Sequence, residues 1–555
     1  MADARDWWIY REGRESRSSV DLTAELECLV AAFERATDDG DLRRRRAVDA
    51  AIASGVLEAA LTDAGADARA TKVAAMITDV LAAAALGIAD GATDLRAAVA
   101  HLIATELPAR LVVSTAEGFA YYALHPEAFA VAVRRRPRSA RGVLVVGVRS
   151  IGTTLSAFVR AELVRNGEDA TRITVRPTGP ASDRRLDLGP AHRDAVLVAA
   201  ARGAEAIVVD EGPGLSGSTL LATAEALERA GMPCGRITVL CSNAPSPSLA
   251  ARDAAARFAR FTVTVAPSDV RVPPSQVDLS AGAWRCLAYE PRAGEIWPAS
   301  FTQTERRKLL MPDGRLAKFE GMGSGARRAI RRGEMLASAG FSPPGREEGD
   351  GWLSYAWEGP PLARDDLDGA VLDRMAEYCA MRPHACPVTA AANASELEAM
   401  VAKNLGLVTG AAPPLLRIER LAIVDGRMAP HEWIRRHDGS VVKTDAIAHG
   451  DDHFFPGPTD IAWDLAGALV EWELDAAAAQ RLLSTYRRAS GDDIRARLPE
   501  WILAYATFRL AFTSVGRNAA ATAAEDARLA ADQARYHRIV CGLPNGARRP
   551  GAQLA

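Results

Sequence analysis

Two acids, Asp210 and Glu211, follow the apolar run Ala206–Val209 and precede a loop rich in glycines and hydroxyls. The loop is Gly212-Pro-Gly-Leu-Ser-Gly-Ser-Thr219, and the Ala/Leu-rich residues after it predict a helix over Leu220–Ala230. Small residues let backbone N–H groups approach a phosphate, and a helix N-terminus adds partial positive charge. The carboxylates suit the vicinal hydroxyls of a ribose. The segment therefore predicts a sugar-phosphate site at a strand end.

The predicted phosphate contacts are the amides and hydroxyls of Gly214, Leu215, Ser216, Gly217, Ser218 and Thr219. No lysine follows the last glycine, so the loop is not a Walker loop. The alternative is an ordinary glycine-rich turn with a capping serine. The stretch resembles the ribose-5-phosphate motif of type I phosphoribosyltransferases, in which the acids hold ribose hydroxyls and the loop holds the 5-phosphate. The Gly-Pro-Gly insertion departs from that motif and leaves the roles of the two acids open.

A second phosphate-type turn lies upstream. Val143–Val146 predicts a buried strand, and Thr153–Leu163 predicts a helix after a short loop. In the phosphoribosyltransferases that this chain resembles, the corresponding loop contacts the pyrophosphate of phosphoribosyl pyrophosphate. The resemblance implies pyrophosphate contacts from Arg149, Ser150, Gly152 and Thr153. It also makes Arg149, Asp210 and Glu211 the predicted catalytic groups.

Between the two turns, the short predicted strand Ile173–Val175 runs into a Pro/Gly loop that carries Arg176, Arg184 and Arg185. In the resembled family this region holds a mobile loop that covers the substrate. Planar guanidinium groups pair with phosphates through two hydrogen bonds, so we add Arg176 to the predicted pyrophosphate contacts. The alternative is a solvated loop in an arginine-rich protein.

The composition predicts a globular protein whose net charge is too small to attract a highly charged partner. The chain has 555 residues, 48% of them hydrophobic and 25% charged, which is typical of two or three soluble domains. A net charge of −3 gives no reason to expect nucleic-acid binding driven by bulk charge, so no nucleic-acid partner is expected. Seven cysteines without a C-x-x-C pair, and no apolar signal segment at the start, predict a cytoplasmic protein with reduced thiols. We expect no membrane partner, and we include a homodimer among the expected assemblies.

Periodicity divides the chain into parts. Residues 1–104 predict a helical N-terminal region, either a separate cap or an extension of the next domain. Residues 105–270 alternate short strands with helices, which predicts an α/β, Rossmann-like domain with a parallel sheet. Ligands of such sheets bind at the carboxyl ends of the strands, where both phosphate-type loops fall. Residues 271–300 predict a linker, and 301–545 a further domain.

In the predicted domain 301–545, three charged residues follow one another in an order known from a protein family. Lys318 lies in a predicted strand, Glu334 on the next predicted helix, and Asp445 at the end of a late strand. This order resembles the aminoglycoside and choline kinase family, small-molecule relatives of protein kinases. The resemblance implies an α+β, two-lobed domain with ATP as a ligand. Lys318 would contact nucleotide phosphates and pair with Glu334, and Asp445 would bind magnesium.

The catalytic loop departs from that family, whose pattern before the metal-binding Asp is His-Gly-Asp-x-His-x-x-Asn. Its Asp orients the acceptor hydroxyl and its Asn holds metal. Counting back from Asp445 puts Met428 and Trp433 roughly at these two positions. His431 and Glu432 are then the only acid–base candidates. Either the chemistry is altered, or the domain has a kinase fold without kinase activity.

A separate cluster, His449-Gly-Asp-Asp-His453, places four possible metal ligands within five residues. Carboxylates suit Mg²⁺, and a mixture of His and Asp also suits Zn²⁺ or Mn²⁺. The predicted metal ligands are Asp445, His449, Asp451, Asp452 and His453. The alternative is a loop whose acids cap the turn before Phe454.

Three functions fit these features. The first is a glycosyltransferase, a phosphoribosyltransferase that uses Mg²⁺ and is fused to an atypical kinase-like domain. The second is a regulatory protein that senses a nucleotide and relays it through a pseudokinase domain. The third is a small-molecule kinase with a phosphoribosyl-binding accessory domain. The N-terminal half supplies cations, amide donors and ribose-binding acids together, which favours the first function.

Overall fold

The computed structural model describes the chain except for residues 1–5, 12, 89–93, 247–248, 290–296, 386–387, 389–393, 411, 448–449, 451 and 543–555. The chain divides into two compact units. The N-terminal unit is Gly13–Val272 with Gly321–Ser324. The C-terminal unit is Met1–Glu12, Pro273–Glu320 and Gly325–Ala555. Within the described residues, no helix combines the length and the apolar character that crossing a membrane requires.

Four helices begin the N-terminal unit: α1 (Ser19–Arg35), α2 (Gly40–Asp63), α3 (Ala68–Ala85) and α4 (Leu95–Ile103). Each is preceded by a side-chain oxygen that accepts a backbone N–H of its first turn, from Ser18, Asp39, Asp67 and Asp94. Strands β1 (Arg14–Ser18) and β2 (Arg110–Ser114) pair antiparallel beside them. These helices belong to the same compact unit as the central sheet.

The central sheet has five parallel strands: β3 (Val143–Val148), β4 (Ala170–Val175), β5 (Glu205–Val209), β6 (Ile237–Cys241) and β7 (Thr262–Val265). The expected parallel sheet is thus confirmed. The helices α5 (Glu117–Ala120), α6 (Glu127–Arg134), α7 (Ile151–Arg165), α8 (Pro190–Arg202), α9 (Ser218–Arg229) and α10 (Ala254–Phe258) accompany it. Every residue of β3 is buried, as expected for a strand covered on both faces.

The order of the strands in this sheet is β4-β3-β5-β6-β7. From β3 the chain first adds β4 on one side and then returns to add β5 on the other. The crevice between the carboxyl ends of β3 and β5 is therefore a topological switch point, the usual ligand position in open α/β sheets.

The C-terminal unit begins with an antiparallel sheet of the order β11-β12-β10-β9-β8. Its strands are β8 (Val277–Asp278), β9 (Lys308–Leu310), β10 (Leu316–Phe319), β11 (Arg346–Gly349) and β12 (Trp352–Tyr355), accompanied by α11 (Arg285–Ala288) and α12 (Gly323–Ser338). The segment 271–300, expected to be a linker, contains the edge strand β8 and helix α11.

A helical part follows this sheet. Its helices are α13 (Gly369–Ala385), α14 (Ala394–Gly406), α15 (Ala462–Glu471), α16 (Ala476–Ser490), α17 (Leu498–Asn518) and α18 (Ala523–Gly542). Short strand pairs join β13 (Leu421–Ala422) to β16 (Thr459–Asp460), and β14 (Trp433–Arg435) to β15 (Val441–Lys443). Trp463 of α15 packs edge-on against Tyr505 of α17, and both are fully buried in the core of this part.

Candidate functional sites

The two phosphate-type loops lie side by side in the N-terminal unit. They follow the paired strands β3 and β5, at the switch point. Gly152, in the first turn of α7, lies so close to the end of β5 that a Cβ there would stand 2.5 Å from the carbonyl oxygen of Val209. The structure therefore brings the segment Arg149–Thr153 beside the segment that starts at Asp210.

Both predicted ribose-binding acids are half-buried at this edge. The Asp210 Oδ1 accepts the N–H of Glu211 at 2.8 Å. Burial raises the pKa of Asp210 to about 7, against the opposing charge of Arg176. Burial also raises the pKa of Glu211 to about 8, with smaller contributions from the charges of Glu117 and Asp210. A hydroxyl that donates to these groups would favour their charged forms and lower both pKa values.

Sequence reasoning missed a third acid at this site. Glu117 begins α5, and the next residue, Gly118, donates its N–H to Glu211 Oε2 at 3.0 Å. A Cβ on Gly118 would lie 2.9 Å from the Glu211 carboxyl carbon, so a larger residue there would displace this carboxylate. Burial raises the pKa of Glu117 as well. No loop pattern marked this segment, because a long stretch of chain separates it from Glu211.

The loop Gly214–Thr219 has the backbone conformation that its glycines suggest. Gly214 and Gly217 adopt positive φ angles of 56° and 72°, which glycine adopts without strain. Helix α9 begins directly after Gly217, two residues earlier than the expected start at Leu220. The N–H groups of its first turn therefore belong to the loop itself. The side chain of Leu215 is exposed.

The two serines of this loop contact the neighbouring arginine loop. The hydroxyls of Ser216 and Ser218 both donate to the carbonyl of Ala181, at 2.7 and 2.6 Å. Thr178 and Arg185 exchange two backbone hydrogen bonds of 2.8 Å, which close residues 178–185 into a hairpin. The hairpin backbone thus lies against the predicted phosphate loop.

The three arginines of this region differ in their contacts. Arg185 is exposed and pairs with Asp183 at 3.2 Å, while Arg184 donates to the carbonyl of Gly179 within its own hairpin. These two fit the alternative of a solvated loop. Arg176 is mostly buried, and its charge lowers the pKa of Asp210 against the effect of burial. Only Arg176 lies beside the acids.

In the upstream loop, the side chain of Arg149 is engaged within the protein, whereas some backbone amides remain as donors. The Arg149–Ser150 peptide bond is cis. The side chain of Arg149 does not extend to solvent but donates to the carbonyl of Thr174 at 2.9 Å and to Asp63 at 2.8 Å. Thr153 donates its N–H to the Ser150 carbonyl, and its buried hydroxyl has no partner among the described residues. Among the described residues, the amides of Ser150, Ile151 and Gly152 at the start of α7 remain as donors for a ligand.

In the C-terminal unit, Lys318 and Asp445 meet. Lys318 of β10 is buried, and its ammonium group contacts the carboxylate of Asp445 and lies 3.4 Å from Glu320. Burial lowers the pKa of Lys318 to about 7. The expected partner Glu334 is exposed on α12 instead. Glu320 takes its place because side chains two residues apart in an extended segment lie on the same side.

The loop before Asp445 buries the two residues that stand roughly at the family's Asp and Asn positions. Met428 and Trp433 are fully buried in the hydrophobic core and cannot meet a ligand. The carboxylate of Asp464 accepts the N–H groups of Asp425 and Gly426 at 2.7 and 2.9 Å, which fixes the start of the loop. The two core residues are therefore structural.

Two charged residues of this loop lie next to the buried pair: Arg427 directly precedes Met428, and Glu432 directly precedes Trp433. Arg427 is half-buried. Glu432 accepts a 2.7 Å hydrogen bond from Lys443, which neutralises its charge. His431 stacks on Trp284, and burial lowers its pKa.

The predicted metal cluster is described only in part, because His449 and Asp451 lie outside the described residues. The Asp452 Oδ1 accepts the N–H of Phe454 at 2.8 Å, as the capping alternative predicts. Burial and the charges of Arg306, Arg427 and Arg11 lower the pKa of His453 to about 3, so His453 lies in a cationic environment. Among the residues that the structure describes, no three His, Cys, Asp or Glu side chains are grouped to hold a metal ion.

Neither a family model nor a curated protein sequence matches the chain. Solved structures of choline and ethanolamine kinases are similar to part of it. A choline kinase from Streptococcus pneumoniae has a TM-score of 0.30 and 15% identity, and the match covers 43% of this chain and 89% of the kinase. A Plasmodium vivax ethanolamine kinase has a TM-score of 0.29 and 10% identity, over 46% and 84%. A choline/ethanolamine kinase family protein from Mesorhizobium loti has a TM-score of 0.29 and 16% identity, and the match covers 46% of this chain and 97% of that protein.

Proposed function

We propose that the N-terminal unit binds phosphoribosyl pyrophosphate with Mg²⁺ and acts as a phosphoribosyltransferase. The observation that supports this most is the strand order, which reverses between β3 and β5. The loop with Arg149 follows one of these strands, and the loop with Asp210 and Glu211 follows the other. One crevice therefore combines donors for two phosphate groups with carboxylates for a sugar diol.

Each group has a distinct part in the proposed reaction. The amides of Ser150, Ile151 and Gly152 and the guanidinium of Arg176 would bind the departing pyrophosphate, and the loop Gly214–Thr219 would bind the 5-phosphate. Asp210 and Glu211 would hold the ribose hydroxyls, which fixes the ring while positive charge develops on its anomeric carbon.

The acids also fit the expected metal. Mg²⁺ is usually held by one or two carboxylates together with substrate phosphates rather than by a complete protein cage. Asp210 and Glu211 supply such carboxylates beside the proposed pyrophosphate site. When bound, the ion would neutralise charge on the leaving group.

Calorimetric titration of the full-length chain with phosphoribosyl pyrophosphate and Mg²⁺ tests this function. We expect the wild type to bind and the double variant Asp210→Asn/Glu211→Gln to lose binding, because the amides cannot make charge-assisted hydrogen bonds to the ribose. Asp169→Asn is the control, since Asp169 is exposed and precedes β4, at the amino-terminal ends of the strands and away from the proposed site. Unchanged affinity in the double variant, or no binding by the wild type, would disprove the proposal.

We further propose that the C-terminal unit binds a nucleotide without rapid phosphoryl transfer. Support for this comes from Arg427, which takes the position of the catalytic Asp of the resembled kinases when Gly426 is aligned with the glycine of their His-Gly-Asp pattern. An arginine cannot accept the proton of an acceptor hydroxyl. ATP with Mg²⁺ should therefore bind near Lys318 and Asp445 but turn over slowly. Rapid transfer of the γ-phosphate to choline, ethanolamine or water would exclude this proposal.

A further inference from the structure

Asp63, the last residue of α2, stands between the two arginines of the proposed pyrophosphate site. Its Oδ1 accepts from Arg149 Nε at 2.8 Å, and its Oδ2 lies 2.5 Å from Arg176 Nη2. Arg149 follows β3 and Arg176 follows β4, which are neighbours in the sheet. A single carboxylate therefore balances two guanidinium groups from adjacent strand ends.

This acid is poorly placed for the helix that carries it. The C-terminal end of a helix has partial negative charge, so an acid in its last turn is unfavourable. Helix α2 also has no basic residue in its last turn to offset that charge. Residues that break a local rule of this kind are expected at functional sites.

The two arginines need an anion between them. Burial lowers the pKa of Arg149, the charge of Arg176 lowers it further, and the charge of Asp63 opposes both. All three side chains are largely withdrawn from water, with exposed fractions of 11% for Arg149, 22% for Arg176 and 26% for Asp63. The buried Nε of Arg176 has no hydrogen-bond partner within the described part of the chain. The arginines thus retain a donor for a second acceptor.

We propose that Arg149 and Arg176 form a clamp for the pyrophosphate group, and that Asp63 is its resident counter-anion, which the pyrophosphate displaces. This inference rests on the proposed function of the N-terminal unit. In the free protein, Asp63 holds the two guanidinium groups in place. On binding, the ligand takes over their hydrogen bonds, and the cost of releasing Asp63 weakens its affinity.

Titration of the full-length chain with inorganic pyrophosphate and Mg²⁺ tests the clamp. Asp63→Asn should bind pyrophosphate about two- to fivefold tighter than the wild type, the range expected when a partly exposed competing ion pair is removed. Its affinity should also fall more steeply with salt, because the clamp then carries more positive charge. Asp169→Asn removes one negative charge at the amino-terminal ends of the strands and should leave the affinity for pyrophosphate unchanged. If Asp63→Asn folds poorly, Asp63→Ser gives the same comparison.

The outcomes separate this inference from the function on which it rests. Weaker or equal pyrophosphate binding by folded Asp63→Asn or Asp63→Ser would overturn the clamp, while wild-type binding of phosphoribosyl pyrophosphate would leave the proposed function standing. If the wild type binds neither pyrophosphate nor phosphoribosyl pyrophosphate, both proposals fail. Thermal unfolding without ligand is a further readout, since the tighter-binding variant should also be the less stable one.

Discussion

The guanidinium of Arg172 in β4 binds the carboxylate of Glu58 in α2 through two hydrogen bonds of 2.9 and 3.1 Å. The same arginine donates to Asp79 of α3 at 2.7 Å. Arg172 and Glu58 are each only 4% exposed, so the charges are compensated by one another rather than by water. This network ties two N-terminal helices to the parallel sheet within one unit.

Removing one partner of this pair should destabilise the N-terminal unit strongly. We expect Glu58→Ala to cost about 3–5 kcal/mol of unfolding free energy, because it leaves a buried charge short of its partner. Urea unfolding measures this loss. The double variant Glu58→Met/Arg172→Met should lose much less, since it removes both buried charges together and leaves Asp79 paired with Arg160. Equal losses in both variants would show that packing rather than charge is responsible.

The stability of the N-terminal unit should fall as the pH rises towards 8. The pKa of Asp210 is raised to about 7 and that of Glu211 to about 8 in the folded chain. In the unfolded chain both carboxyls have pKa values of about 4. Between about pH 4 and the folded pKa values, the folded state therefore binds protons that the unfolded state has lost. The stabilisation is therefore complete at low pH and lost through the folded pKa values. The urea midpoint should decline less steeply with pH in Asp210→Asn/Glu211→Gln than in the wild type. Parallel plots of midpoint against pH would show that these two carboxyls are not the cause.

Substituting Gly152 should damage both packing and binding. A Cβ there meets the Val209 carbonyl at 2.5 Å, and the backbone at the end of β5 cannot move freely. We expect Gly152→Ala to cost about 1–3 kcal/mol of unfolding free energy and to displace the pyrophosphate loop. Gly235→Ala is the matched control, because no atom lies within 4 Å of its added Cβ. The prediction fails if Gly152→Ala keeps the wild-type affinity for phosphoribosyl pyrophosphate.

Lys318 should be required for nucleotide binding by the C-terminal unit. Lys318→Met removes the ammonium group that contacts Asp445, and we expect ATP affinity to fall about ten- to a hundredfold, as for a lost charge-assisted hydrogen bond. Lys403→Met, at an exposed position on α14, is the control for the loss of one lysine. Calorimetry with ATP and Mg²⁺ measures both. Equal affinities in the two variants would place the nucleotide elsewhere.

Local patterns predicted the parallel sheet because each strand carries its own signal. The apolar run at Val143–Val146 and the glycine-rich loop after Asp210 are features of a few consecutive residues. The topology that places them together follows from the general handedness and short connections of α/β units. For this reason two loops separated by a βα interval were predicted at one edge.

Contacts between distant segments were not predictable in the same way. Asp63 precedes Arg149 by 86 residues, and Glu117 precedes Glu211 by a similar distance, so no spacing rule connects them. In the C-terminal unit, a pattern with a familiar order suggested Glu334 as the partner of Lys318, while the strand geometry placed Glu320 there. Such pairs depend on how whole helices and strands pack, which short motifs do not encode.

The hairpin over the phosphate loop has a kinetic consequence. Because the Ala181 carbonyl accepts hydrogen bonds from the Ser216 and Ser218 hydroxyls, these donors reach a phosphate only after the hairpin has released them. Association then contains a first-order opening step. In stopped-flow mixing, the observed rate should rise with ligand concentration and level off at the opening rate. Ser216→Ala/Ser218→Ala should raise that plateau and speed dissociation, so the same two hydroxyls would set both the opening rate and the residence time of the ligand.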